Sequence, residues 1–65
     1  MYKNLEAELA KKGWSKKDLA NVTGIRYETL VLKLNGKYKL SLDECFAIKD
    51  ALDSELLIEE LFLTL

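Results

Sequence analysis

Apolar residues recur at helical spacing along most of the chain, and glycines interrupt that spacing. A first helix is predicted from Lys3 to Lys12, with its leucines one turn apart on a single face. Gly13, Gly24 and Gly36 each follow a stretch of this kind, and glycine readily adopts the left-handed conformation that ends a helix. The pattern predicts short helices joined by tight turns.

Two further helices are predicted around the second glycine. Ser15 is a favourable N-cap, and the carboxylate of Asp18, three residues later, can stabilise the free amides of the first turn. The second helix should run from Lys16 to about Val22, and a third should run from Arg26 to Leu34, before Asn35-Gly36. Two short helices joined through one glycine are typical of a helix-turn-helix, here over about residues 15–35.

A fourth helix is predicted after Ser41. Ser41 and Glu44 have the spacing of a capping box, in which each residue satisfies an amide of the other. We expect the inward side chains of this helix to be Leu42, Cys45, Phe46 and Leu52.

The last segment, residues 54–65, is predicted to be a fifth helix opened by Ser54. Its large apolar residues cover far more than one stripe of a helix surface. Because a monomer rarely exposes so much apolar surface, we expect part of this helix to face a second subunit. The leucines assigned to this homodimer interface are Leu56, Leu57, Leu63 and Leu65.

Length and composition indicate one globular domain over residues 1–65, and the helical spacing described above makes its predicted class all-α. The chain is 49% hydrophobic and 32% charged, and it has no apolar run long enough to span a membrane. Its first residues alternate polar and apolar types, where a signal peptide needs an uninterrupted apolar stretch. We therefore expect a protein of the cytoplasm with no membrane partner.

Candidate catalytic chemistry is sparse. The chain has one cysteine, Cys45, and no histidine, which removes an internal disulfide, a plausible zinc site and an imidazole base. No candidate nucleophile has a base within its motif. The expectation is a protein without catalytic activity, metal, cofactor or small-molecule ligand.

The charge of the chain separates along the sequence, although the net charge is only −1. Residues 1–40 contain nine lysines and arginines against four acidic residues, a balance of +5, whereas residues 41–65 contain one lysine against seven, a balance of −6. A basic first part and an acidic tail suggest a polyanion on one side and a different partner on the other.

The stretch from Ser15 to Gly36, SKKDLANVTGIRYETLVLKLNG, resembles the helix-turn-helix of phage repressors and Cro proteins. Leu19-Ala20 stand where that family buries its second helix, Gly24-Ile25 where the chain turns, and Leu30 where the recognition helix meets the core. The likeness continues through the fourth helix and covers nearly the whole chain. It implies a compact five-helix fold.

The resemblance also implies a transcriptional regulator that binds double-stranded operator DNA, often as a two-fold dimer, with the third helix in the major groove. Two residues depart from the family pattern. Arg26 occupies a place where relatives commonly carry a serine or threonine cap. Lys16 replaces a glutamine that often touches the DNA backbone, although lysine can still reach a phosphate as a point charge.

Candidate DNA contacts fall into two sets. The base-reading set comprises Arg26, Tyr27, Glu28, Thr29 and Leu32, whose side chains can pair with base edges or touch a thymine methyl. The phosphate-binding set comprises Lys16, Lys17, Lys33, Lys37 and Lys39. Tyr27 has an alternative place in the core, because its spacing would let it pack beside Leu30 and Leu34.

Two functions from different classes follow. The first is a repressor or Cro-like regulator of phage or prophage origin, which would bind two half-sites about 34 Å apart. The second is a protein-interaction module on the same scaffold that has lost or never had operator binding. In that case the face of Glu28 and Leu32, or the acidic apolar tail, would bind another protein.

Overall fold

The computed structural model describes residues 2–64, and all the regular structure in that part of the chain is helical. This confirms the expected all-α, five-helix architecture. None of the helices it describes has the length and apolar character needed to cross a membrane. The helices are α1 (Lys3–Lys12), α2 (Lys16–Thr23), α3 (Tyr27–Leu34), α4 (Leu42–Leu52) and α5 (Ile58–Leu61).

Glycines end the first two helices, as the sequence predicts. Gly13 has φ 70° and donates its amide hydrogen to the carbonyl of Ala10 at 3.1 Å, while the amide of Trp14 donates to Leu9 at 3.0 Å. Gly24 ends α2 in the same left-handed conformation, with φ 77°. A β-carbon is strained in this conformation, so glycine allows the chain to reverse within one residue.

The helices pack around α4. It contacts α1, α2 and α5, while α2 also packs on α3 and α1 packs on α5. The α3 helix therefore joins the domain mainly through α2, and much of its surface is left outside. The buried side chains form one cluster: Leu5, Leu9, Leu19, Ala20, Leu30, Leu34, Ile48, Leu52 and Leu61.

The inward face predicted for α4 is partly wrong. Leu52 is buried and Cys45 is half-buried, but Leu42 and Phe46 are 64% and 48% exposed, and Ile48 occupies the centre of the core. The helix carries two apolar pairs, each with members four residues apart, on different sides of its axis. Only the Ile48 side meets the neighbouring helices.

The predicted fifth helix over residues 54–65 is also corrected, because α5 is a single turn. The buried Ser54 does not cap it. Its hydroxyl donates to Glu8 Oε1 at 2.7 Å and accepts the amide hydrogen of Leu56 at 3.2 Å. These bonds hold the chain in a non-helical path before the turn, and Leu61 then enters the core.

Trp14, the single tryptophan of the chain, lies at the junction of α1 and α2. The indole is half-buried and packs against the core. The ammonium nitrogen of Lys12 lies 5.1 Å from the centroid of the ring, within cation–π range. The junction between α1 and α2 is therefore held by contacts of Trp14 with the core on one side and with Lys12 on the other.

Candidate nucleic-acid interface

The start of α2 is fixed by a complete capping box. Asp18 Oδ2 accepts the amide hydrogen of Ser15 at 2.8 Å, and Ser15 Oγ accepts that of Asp18 at 3.3 Å. Lys16 and Lys17 follow in the first turn, the former half-buried and the latter exposed. The box therefore holds two predicted phosphate-binding lysines at a rigid helix start.

The turn between α2 and α3 is held by one side chain. Thr23 Oγ1 donates to the carbonyl of Leu19 at 2.8 Å and accepts the amide hydrogen of Ile25 at 3.4 Å. Ile25 is half-buried against the core. Together with the left-handed Gly24, these contacts set the direction in which α3 leaves α2.

The α3 helix buries one side and exposes the other. Leu30 and Leu34 enter the core. Tyr27 is 44% exposed and does not belong to the core, so the alternative of a core tyrosine is wrong. Arg26, Glu28 and Leu32 are also exposed, whereas Thr29 is half-buried. Four of the five predicted base-reading residues thus lie on α3 and the fifth, Arg26, is its N-cap; all but Thr29 have exposed side chains.

The first turn of α3 has no side-chain cap. Arg26 occupies the N-cap position with φ −60° and ψ 136°, and its side chain accepts no hydrogen bond from the helix. Loss of a serine or threonine cap costs about 1 kcal/mol. The structure thus has no side-chain cap at the start of α3, as the sequence predicts, and the side chain of Arg26 is exposed.

Two predicted phosphate-binding lysines lie in the loop after α3. The amide of Lys37 donates to the carbonyl of Leu32 at 2.9 Å, and Gly36 has φ 85°, so the helix ends in a tight turn. Both Lys37 and Lys39 are exposed. The loop therefore presents two ammonium groups directly after the outward helix.

Lys33 has a different role from the one predicted. Its ammonium group forms an ion pair with Glu44, and the two side chains are 19% and 22% exposed. This contact, together with the backbone amide of Ser41, lowers the pKa of Glu44. Lys33 thus joins α3 to the start of α4, and we leave it out of the candidate interface.

The five cations proposed for DNA contact other than Lys33 form no ion pair with any other residue between positions 2 and 64. Two exposed carboxylates lie among these cations, that of Asp18 in the first turn of α2 and that of Glu28 in the first turn of α3. The candidate interface is thus an outward helix with cations before and after it in the chain. These cations are Lys16, Lys17, Arg26, Lys37 and Lys39.

The leucines predicted to form a dimer interface differ in their surroundings. Leu57 and Leu63 are 59% and 46% exposed. Leu56 is half-buried and packs against the core of its own chain. Leu65 lies outside the described residues. Among the described leucines, Leu57 and Leu63 are thus the ones with side chains available to an intermolecular contact.

Cys45, the only thiol, is surrounded by packing rather than by groups that would activate it. Burial raises the pKa of the Cys45 thiol, and the neighbouring Glu44 carboxylate raises it further. A thiol in these surroundings remains protonated at neutral pH and is a weak nucleophile.

Comparison with protein families gives one informative match. Residues 4–62 match the model of the Cro/C1-type HTH DNA-binding domain. The match includes α2, α3 and the turn between them, and it extends into all five helices. No curated protein and no solved structure gives a significant match.

Proposed function

The chain belongs to the family of Cro/C1-type HTH DNA-binding domains, and from this premise we propose that it is a sequence-specific repressor or Cro-like regulator. We assign it to a phage or prophage and to the bacterial cytoplasm, where operator DNA is found. The observation that carries this proposal is the exposed side of α3, with uncompensated cations before and after it. An α-helix of this kind fits the major groove of B-form DNA.

Base reading is assigned to the outward residues of α3. Arg26 can donate two hydrogen bonds to a guanine, and Glu28 can accept one from the amino group of a cytosine. Thr29 and Leu32 offer methyl groups for contact with thymine, and Tyr27 extends from the first turn. Arg26 is the strongest candidate, because the bidentate pairing of arginine with guanine is the commonest specific contact.

Phosphate binding is assigned to the lysines at the two ends of the helix pair. Lys16 and Lys17 lie beside the free amides at the start of α2, where an anion is favoured. Lys37 and Lys39 follow α3 and would reach the backbone on the other side of the groove. Each neutralised phosphate releases counterions, so these residues supply affinity that does not depend on sequence.

We assign homodimerisation to the tail. The support is the exposure of Leu57 and Leu63, two large apolar side chains close together in the chain. A two-fold dimer would present two α3 helices to half-sites about 34 Å apart. Sedimentation tests this part separately: a Leu57→Glu substitution should dissociate the dimer, and a wild-type chain that remains a 7.5 kDa species at high concentration contradicts it.

Selection of bound sequences from a random duplex pool, followed by anisotropy titrations, tests the function as a whole. We expect a consensus with two related half-sites and an affinity that falls steeply as salt is raised from about 50 to 200 mM. A chain that enriches no sequence, or binds no DNA at the lower salt concentration, contradicts the proposal.

Single substitutions separate the two kinds of contact. Lys37→Ala should weaken binding to all sequences and reduce the salt slope by about 0.9, whereas Arg26→Ala should change the preferred base. Lys3→Ala, which removes the same charge from α1, is the matched control. An equal loss for Lys3 and Lys37 would show that only the overall charge of the chain matters.

A further inference from the structure

The outer side of α4 carries an apolar surface that the DNA proposal does not use. Leu42 and Phe46 lie one turn apart and are 64% and 48% exposed. Together with Asp43 and Asp50, they fall within roughly 100° of the helix circumference, since each residue advances by about 100°. We call this surface, with Asp53 at its C-terminal end, the α4 outer face.

The charge of the α4 outer face is negative. Asp43, Asp50 and Asp53 are all exposed, and none of them forms an ion pair within the part of the chain that the structure describes. The nearest lysine on the helix is Lys49, whose ammonium group donates to the carbonyl of Ser54 at 2.8 Å. The face is therefore apolar along one edge and acidic along the other, with Asp53 adding a charge at its C-terminal end.

Two of these aspartates lie where they lower the stability of α4. Asp50 is in the last turn and Asp53 directly follows it, at the end of the helix where the dipole disfavours negative charge. Asp53 also has φ 50°, and no other non-glycine residue between positions 2 and 64 has a positive φ. Glycine fills the equivalent position after α1 and α2. Helix stability therefore does not account for either charge.

We propose that the α4 outer face is a docking surface for a basic amphipathic helix of a second protein. Apolar side chains of the partner would pack on Leu42 and Phe46, and its lysines or arginines would pair with the three aspartates. A second copy of this chain is a poorer occupant through the same face, because the aspartates of both copies would meet. The inference does not depend on DNA binding.

A titration followed by NMR of the ¹⁵N-labelled chain tests the docking surface. The probe is a helical peptide with leucine on one face and lysine on the other, and the control peptide carries glutamate in place of lysine. We expect the lysine peptide to shift the resonances of residues 42–53 and the glutamate peptide to leave them unchanged. Shifts confined to α3 or α5 overturn the assignment.

Phe46→Ala tests the apolar part of the surface. Because the ring is 48% exposed, its removal should leave the fold intact. We expect the affinity for the lysine peptide to fall about tenfold. An unchanged affinity, in a variant whose spectrum retains the native dispersion, overturns the proposed role of the ring.

Two charge-matched double variants test the acidic part. Asp50→Asn with Asp53→Asn should weaken binding about fivefold. Glu55→Gln with Glu59→Gln removes the same charge from the tail and should have little effect. Equal losses of peptide affinity in the two variants would show that only the overall charge of the chain matters, which overturns the site. Concentration-dependent shifts of residues 42–53 without peptide overturn the assigned partner and identify a second copy instead.

A single substitution at Asp53 separates stability from binding. Asp53→Gly should raise the thermal midpoint, because glycine adopts the left-handed conformation without strain. The same change should weaken binding of the lysine peptide, because one of the three acidic groups of the face is lost. A variant that is more stable and binds the peptide equally well overturns the role of this aspartate in docking.

Discussion

The two helices of the helix-turn-helix have the same length of eight residues but begin in different ways. The start of α2 is closed by the reciprocal hydrogen bonds of Ser15 and Asp18. The start of α3 has Arg26 at the N-cap and no side-chain acceptor for its amides. Both helices belong to one motif and pack on each other. The difference therefore depends only on which residue types occupy the two helix starts.

This difference shows that α2 is the helix stabilised by its own end, whereas α3 is the helix proposed to contact DNA. The α2 helix is held at its own end, so it can orient α3 through the short turn at Gly24. The α3 helix is held by Leu30 and Leu34, and the residues of its first turn are not those that would best begin a helix. Local rules of helix stability are commonly broken at functional sites, and here they are broken where DNA contact is proposed.

The largest expected effect concerns the core contact of α3. Leu30→Ala should lower the free energy of unfolding by about 3 kcal/mol, because it leaves a cavity where a fully buried side chain had packed. Urea denaturation followed by circular dichroism measures this loss. Leu32→Ala, on the exposed side of the same helix, should change stability by less than about 0.5 kcal/mol. Similar losses at both positions would mean that α3 is not anchored on one side.

A smaller effect is expected at the start of α2. Ser15→Ala should cost about 1 kcal/mol, because the amide of Asp18 loses its acceptor, whereas Ser15→Gly should cost only a few tenths. Thermal denaturation of the three proteins measures both differences. If the alanine variant were as stable as the wild type, the capping box would not be what distinguishes α2 from α3.

The start of α3 should respond in the opposite direction. Arg26→Ser supplies an acceptor at the N-cap, where the backbone is already extended, and should raise the free energy of unfolding by up to about 1 kcal/mol. Arg26→Ala, which removes the arginine without supplying a cap, is the control in the same denaturation experiment. Equal stabilities of the serine and alanine variants would contradict the account of an open helix start.

The smallest effect concerns the ion pair between α3 and α4. The pKa of Glu44 is lowered in the folded state from its ordinary value of 4.5, chiefly by Lys33. The stability that Glu44 contributes is therefore present above that ordinary pKa and is lost as the pH falls through the lower pKa of the folded state. Glu44→Gln should therefore cost a few tenths of a kcal/mol at neutral pH and weaken the acid dependence of stability. Denaturation at a series of pH values measures both.

A matched control for the ion pair is Glu59→Gln, which removes an exposed charge of α5 without affecting Lys33. Its stability should follow the wild-type pH dependence more closely than that of the Glu44 variant. Identical pH profiles of the two variants would show that the ion pair between α3 and α4 does not contribute to the stability of the fold.

The helix ends could be predicted from the sequence because their signals are local. The Ser15 N-cap, the Ser41 box and the glycines at 13 and 24 act within one turn, and all of them are present in the structure, where the bonds of Ser15 and Asp18 form a reciprocal box as well. The uncapped start of α3 could also be predicted, since it depends only on which residue type occupies the N-cap.

The errors concern contacts that are distant in sequence. The face of α4 was ambiguous because Leu42 with Phe46 and Ile48 with Leu52 have the same spacing, and only tertiary packing selects between them. The partner of Lys33 lies eleven residues away on another helix, which no periodicity reveals. The length of α5 was overestimated because an abundance of apolar residues does not establish helical spacing.

The position of Trp14 gives this chain a built-in optical reporter. A single indole emits from one site, so a fluorescence unfolding curve reads the joint between the first two helices without an added dye. Loss of the packed surroundings and of the cation over its ring should move the emission towards that of indole in water. The same spectrum can thus monitor whether each variant remains folded at the dilute concentrations of a binding assay.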